Sequence, residues 1–137
     1  MLKHVIFTSQ QSACSRPAWK NWAVISITDV GAEDARLQQG WHDILRLGFD
    51  DIDHDDGEYV LCGEFHTRAI IAFVERCNVE KVEGILVHCK AGISRSAAVA
   101  KWISDRHGLT FPVEYDQYNK HVYATLTEEY LLKLTAP

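Results

Sequence analysis

Gly84-Ile85-Leu86-Val87-His88-Cys89-Lys90-Ala91-Gly92-Ile93-Ser94-Arg95-Ser96-Ala97-Ala98-Val99-Ala100 is the stretch from which the fold of this chain is read. Its first four residues form a short apolar run bounded by Gly84, the pattern of a buried parallel strand. Ala97, Ala98, Val99, Ala100, Trp102 and Ile103 continue as a helical pattern that should stop at Gly108, just past Arg106 and His107. A strand-loop-helix unit therefore brings Cys89 to a helix N-terminus, with Arg95 closing the loop.

Working outward, His4 to Thr8, Ala23 to Thr28 and Ile44 to Phe49 read as strands, and Asp34 to Gly40 as a short helix or turn behind Gly31. Phe65 to Cys77 reads as a helix whose buried stripe is Phe65, Ala69, Ile70, Phe73, Val74 and Cys77. Beyond Pro112, Glu114 to His121 forms one segment, and a last helix lies near Glu128 to Leu134. Trp19, Trp22 and Trp41 are assigned to packing. Strands alternating with helices predict an α/β fold, a single mostly parallel sheet of about four to five strands flanked by helices. With 137 residues and 47% hydrophobic content, residues 1–137 are expected to form one domain.

Charge and cysteine usage narrow the function classes. A formal net charge of −5 without a dense Lys/Arg cluster disfavours nucleic acid and anionic lipid as partners. No run approaches a membrane span, and Met1 to Phe7 lacks a signal-peptide core, so a cytoplasmic location is expected. Cys14, Cys62, Cys77 and Cys89 show no paired metal spacing. An EF-hand register starting at Asp51 fails, because Asp56 stands where glycine is needed and Cys62 where glutamate is needed. No metal and no cofactor is expected.

The loop itself carries the chemistry. Orphan N–H groups and the helix dipole at the first turn favour a phosphate dianion and a thiolate. The nucleophilic form of cysteine is the thiolate, which makes Cys89 the candidate nucleophile. Residues Lys90, Ala91, Gly92, Ile93 and Ser94 would line a phosphate cradle, with Gly92 letting the backbone approach the bound oxygens. The planar fork of Arg95 suits two equatorial oxygens at once. Ser96 can donate to the Cys89 sulfur and improve it as a leaving group. His88 points to the opposite face from its neighbour and is given an orienting role, tying the loop through hydrogen bonds. An isolated cysteine before a helix is most often a small buried apolar residue. Gly92, Arg95 and Ser96 at these spacings favour the functional reading.

His88-Cys89-Lys90-Ala91-Gly92-Ile93-Ser94-Arg95-Ser96 resembles the His-Cys-x-x-Gly-x-x-Arg-Ser signature of cysteine-based protein tyrosine phosphatases, the dual-specificity branch and its small bacterial type in particular. Beyond this signature the likeness is one of element order and spacing, over about residues 40 to 110. The resemblance implies a protein tyrosine phosphatase-like fold and a phosphocysteine mechanism on a phosphorylated protein or peptide, with an aspartic acid on another loop protonating the leaving oxygen. By the same likeness that acid follows a strand upstream of the cysteine. The strand ending at Phe49 runs into Asp50-Asp51-Ile52-Asp53-His54-Asp55-Asp56, which makes Asp51 the first choice and Asp50 the second. Any single aspartate there also reads as part of a solvated loop. The short chain implies an open site accepting phosphotyrosine and phosphoserine or phosphothreonine, with Ser9 to Trp22 as one wall. Ile93 occupies the place where phosphoinositide phosphatases carry a second basic residue.

Two alternatives use the same loop. A sulfurtransferase or arsenate-reductase-like enzyme also employs a cysteine cradle, but Ser96 and the upstream acidic loop argue against it. A non-catalytic phosphate-binding module would have no need of the thiolate. A reversible disulfide from Cys89 to Cys62 or Cys77 is a conceivable protection against oxidation.

Overall fold

In the computed structural model, which describes residues 1–136, eight elements follow in order: β1 (His4–Ser9), α1 (Gln10–Ser15), β2 (Trp22–Thr28), β3 (Ile44–Gly48), α2 (Glu64–Val79), β4 (Gly84–Cys89), α3 (Arg95–His107) and α4 (Lys120–Thr135). The four strands make one all-parallel sheet of order β1-β4-β2-β3. The strand that ends at Cys89 is thus interior, with Ser9 of β1 opposite Cys89 on one side and Ser26 of β2 opposite His88 on the other.

Alternation along the strands sorts side chains to two covered faces. Ala23, Ile25 and Ile27 of β2 and Ile85, Val87 and Cys89 of β4 join Phe49, Ile70, Phe73, Val74, Trp102, Ile103, Val122 and Leu126 in the main core. The intervening Val24 and Leu86 face a smaller layer containing Ala13 of α1 and Trp41, with Trp19 and Trp22 packed against it. Trp19 meets Trp22 edge-on at 4.7 Å and Trp41 at 6.3 Å, so the tryptophans are packing residues as expected. Burial on both faces explains why β2 and β4 read as nearly continuous apolar runs. Fully buried Phe49 and Phe73 each contribute about 1.5–3 kcal/mol relative to exposure. No helix among the described residues is long and apolar enough to cross a membrane.

The predicted stop of α3 is observed: Gly108 adopts φ 65° and its N–H donates to the Ser104 carbonyl. Local differences from the sequence reading are three corrections and one element that it did not include. Gln10–Ser15 is a short helix, capped by the Ser9 hydroxyl accepting from the Ser12 amide. Of the helix or turn expected over residues 34–40, only a turn at residues 39–40 is formed, and Arg46 Nη1 donates to the Ala35 carbonyl at 3.0 Å. The tail is one helix, Lys120–Thr135, whose start is set by Asn119 Oδ1 accepting from the Val122 amide; upstream of it, Tyr115 N closes a turn onto the Pro112 carbonyl. Phe65 is 76% exposed, not buried. At 100° per residue it lies about 160° around the helix from buried Thr67, away from the face that Ile70, Ile71, Val74 and Cys77 turn inward.

His88 stitches the two interior strands beneath the loop. Its Nδ1–H lies 3.5 Å from the Cys89 carbonyl, which can only accept, so Nε2 accepts the Ser26 hydroxyl proton at 2.6 Å. The expected orienting role is thereby relocated: His88 holds the strands under the loop rather than the loop itself. Burial above all pushes its pKa down from 6.5 to about 4, with the Arg46 and Arg95 charges adding to the effect. The unfolded chain therefore takes up this proton first, and the His88 contribution is complete above about pH 6.5 and is lost as pH falls towards 4. Urea unfolding at pH 7.5 and 4.5 should show a loss of stability in the wild type that shrinks by on the order of 2 kcal/mol in His88→Gln. Identical pH dependence in both proteins would remove His88 from the account.

Candidate active site

The turn between β4 and α3 is built against the end of β1. Gln10 N donates to the Lys90 carbonyl at 3.2 Å. Gly92 has φ +74°, and a Cβ there would stand 2.3 Å from Ser9 N and 2.4 Å from the Thr8 carbonyl carbon. Glycine is thus required by the close crossing of two backbone segments, a steric reason additional to any room for ligand oxygens. Ser94, the residue before α3, makes no side-chain cap to the helix. Its hydroxyl is turned elsewhere, and the first turn of α3 is left without a side-chain partner.

Around this turn the sequence-predicted residues converge. Cys89 is 2% exposed, and its Sγ lies 3.1 Å from Ser96 Oγ. Arg95 is 4% exposed. One guanidinium nitrogen, Nη1, donates to Asp29 Oδ1 and to the Phe49 carbonyl, both at 2.8 Å. Arg95 Nε is buried and has no partner among the described residues. A buried donor without an acceptor costs roughly 1–3 kcal/mol, which an anionic oxygen in the cradle would relieve. Lys90, Ala91 and Ile93 are exposed on the outer side of the turn.

The acidic segment after β3 sorts itself by hydrogen bonding. Asp51 Oδ1 accepts from Ser94 Oγ at 2.8 Å and from Asn119 Nδ2 at 2.9 Å, which joins Asp51 to the cysteine turn. Asp50 is used otherwise: Oδ1 accepts from Val30 N and Oδ2 from Val60 N, and both oxygens staple loops. Asp55 Oδ1 accepts from Gly57 N, Asp56 Oδ1 from Glu58 N and Tyr59 N, and Asp53 pairs with His54 on the surface. Of the aspartates in this segment, Asp51 alone has hydrogen bonds to the cysteine turn among those resolved.

Residues that the sequence reading did not single out complete the surroundings. Asp29, at the end of β2, is the carboxylate that neutralises Arg95; its signal was its place at the C-terminal end of a parallel strand, the same position that drew attention to Asp51. Tyr115 donates its hydroxyl to the Ile93 carbonyl. Burial, and then the charge of Cys89, push the Tyr115 phenol above its ordinary value. Gln10, Gln11 and Cys14 of α1 border a cavity of about 660 Å³ together with Asp29 and Lys90, so part of the Ser9 to Trp22 segment does stand beside the turn. Cys62 and Cys77 are free buried thiols pushed up to about 12 by burial, and neither supplies thiolate for exchange with Cys89 near neutral pH.

No protein-family model and no curated protein matches the sequence significantly. Similarity is found among solved structures. The human tyrosine phosphatase-like serine/threonine/tyrosine-interacting protein superposes with a TM-score of 0.62 over 96% of this chain and 93% of its own, at 17% identity. Human DUSP28 gives a TM-score of 0.62 over 96% of this chain and 95% of its own, at 19% identity. At such identities the shared property is architecture, and the single parallel four-stranded sheet flanked by helices is the protein tyrosine and dual-specificity phosphatase fold.

Proposed function

We propose that this chain is a phosphomonoester hydrolase, a protein phosphatase of the dual-specificity kind, working through a phosphocysteine intermediate on Cys89. The observation that carries the reading is a single cradle in which Cys89 Sγ lies 3.1 Å from Ser96 Oγ beside a buried Arg95 whose Nε has no partner among the described residues. Asp29 and the Phe49 carbonyl hold Arg95 at Nη1 and leave the rest of the fork to grip phosphate oxygens. The backbone of Lys90 to Ser94 and the first turn of α3 supply further donors. Cys89 attacks phosphorus, the P–S bond forms as the ester P–O bond breaks, and Asp51 gives its proton to the departing oxygen. A water molecule then attacks the phosphocysteine, Asp51 takes up its proton, and Ser96 donates to the sulfur as the P–S bond breaks. The full 1–137 chain is taken as one catalytic domain acting in the cytoplasm.

One further reading deserves a direct test, because one structural neighbour is by name a phosphatase-like interacting protein. A recognition module would hold the phosphorylated segment in the same cradle without turnover. The hydrogen bonds that bring Asp51 to the turn favour catalysis, since binding a phosphate dianion is hindered, not helped, by a nearby carboxylate.

Hydrolysis of para-nitrophenyl phosphate and of phosphotyrosine and phosphoserine peptides is expected for the wild type and is expected to vanish in Cys89→Ser, with phosphopeptide binding retained; wild-type binding without turnover would establish the recognition module instead. In Asp51→Asn, turnover of the peptides should fall about 10²- to 10⁴-fold, the usual contribution of a general acid. Inhibition by inorganic phosphate should persist in that variant, and unchanged turnover would move the acid to another residue.

A further inference from the structure

Asp51 lies on an irregular segment, residues 49–63, where no helix or strand fixes it. A proton donor must be held in place to be useful, because misplacement of about 1 Å can cost on the order of 10²-fold in rate. On top of the phosphatase reading, we propose that Asn119 is the positioning residue of the general acid, a clamp that fixes Asp51 against the cysteine turn and directs its proton.

Five hydrogen bonds meet on this one residue, which is 7% exposed; one is the first intrahelical bond of α4, from Tyr123 N to the Asn119 carbonyl. Asn119 Nδ2 donates to Asp51 Oδ1 at 2.9 Å and to the Ile52 carbonyl at 3.0 Å, gripping the acid loop by side chain and backbone together. Asn119 Oδ1 accepts from the Val122 amide at 3.0 Å, the N-cap of α4, which locks the amide's orientation. Asn119 N donates to the Ser94 carbonyl at 3.0 Å, so the residue is also tied to the turn that follows Cys89. Helix α4 packs on both α2 and α3, and through Asn119 that rigidity is passed to Asp51.

The arrangement distinguishes the two oxygens of the carboxyl group. Ser94 Oγ and Asn119 Nδ2 both donate to Oδ1. Asn119 Nδ2 can only donate, so Oδ1 is kept as its acceptor, and a protonated Asp51 carries its hydrogen on Oδ2, which has no hydrogen bond among the described residues. The proton is given from Oδ2 to the leaving oxygen in the first step and taken back there from water in the second, while Oδ1 stays anchored. The asparagine amide suits this combination, because Oδ1 accepts the cap bond while Nδ2 donates twice to the acid loop.

The test separates clamp from cap. Asn119→Ser keeps a good N-cap but has no donor that reaches Asp51, and Asn119→Asp keeps the cap acceptor while replacing the donor by a second carboxylate. Help from a general acid is needed most when the leaving group is poor. In the full chain, both variants should therefore fold and lose about 10-fold in kcat/KM on phenyl phosphate and only about 2-fold in kcat/KM on para-nitrophenyl phosphate, since kcat/KM reports the step in which the leaving group departs. Introduced into Asp51→Asn, either substitution should cause no further loss on phenyl phosphate. Equal losses on both esters, or a full loss persisting in the Asp51→Asn background, would overturn the clamp. A wild type inactive on both esters would overturn the phosphatase reading itself, whereas an active wild type matched by Asn119→Ser would overturn the Asn119 assignment alone.

Discussion

A buried guanidinium is the constraint around which the rest of this molecule is arranged. Arg95 is permanently charged and 4% exposed, at the first position of α3, and an unpaired charge in such a place is strongly destabilising. Its compensation comes from two chain segments distant in sequence. Asp29 follows β2, the Phe49 carbonyl follows β3, and α3 presents the side chain from below. Satisfying Nη1 in this way pins the two segments that follow β2 and β3, while Nε has no acceptor among the described residues. The same requirement that satisfies one side of the Arg95 guanidinium leaves a buried donor on the other.

Much of this was legible in the chain. Apolar runs flanked by turn residues reveal the strands, because a parallel strand buried on both faces has no polar alternation to obscure it. The turn after Cys89 and the stop at Gly108 are readable because glycine at positive φ is a local requirement. Asp51 was reachable from a strand end and a resemblance. What stayed hidden depends on pairing across long separations: Arg95 with Asp29 at 66 residues, Asn119 with Asp51 at 68. No local pattern around Asn119 announces a clamp, and as an N-cap it resembles any other asparagine before a helix. Gln10–Ser15 was invisible for the opposite reason, being six mostly polar residues whose helical state rests on the Ser9 cap and on contact with β1 and β4.

His88 shows how one residue can fit a signature and yet act at a different level. It stands next to Cys89 in sequence, but strand alternation turns it to the other face, where Ser26 is its partner. The consequence is mechanical. A 2.6 Å hydrogen bond between the two interior strands, inside a fully buried pocket, fixes the height of Cys89 relative to β2 without any contact with substrate. Burial keeps this ring neutral, and a neutral ring is the only form that can accept from Ser26 while its other nitrogen donates.

The sheet order explains how so few residues suffice. All four strands are parallel, so all four C-terminal ends open on the same edge, and the order β1-β4-β2-β3 places β4 between two neighbours there. Each strand end contributes one part. β1 offers Ser9, over which Gly92 crosses, and β4 offers Cys89. β2 offers Asp29 and β3 offers Phe49 followed by Asp51. Had β4 lain at an edge, Cys89 would have one flanking strand instead of two, and either the Gly92 crossing or the Asp29 bridge to Arg95 would lose its support. The interior position of a single strand is therefore what allows Cys89, Arg95 and Asp51 to be gathered from segments far apart in sequence.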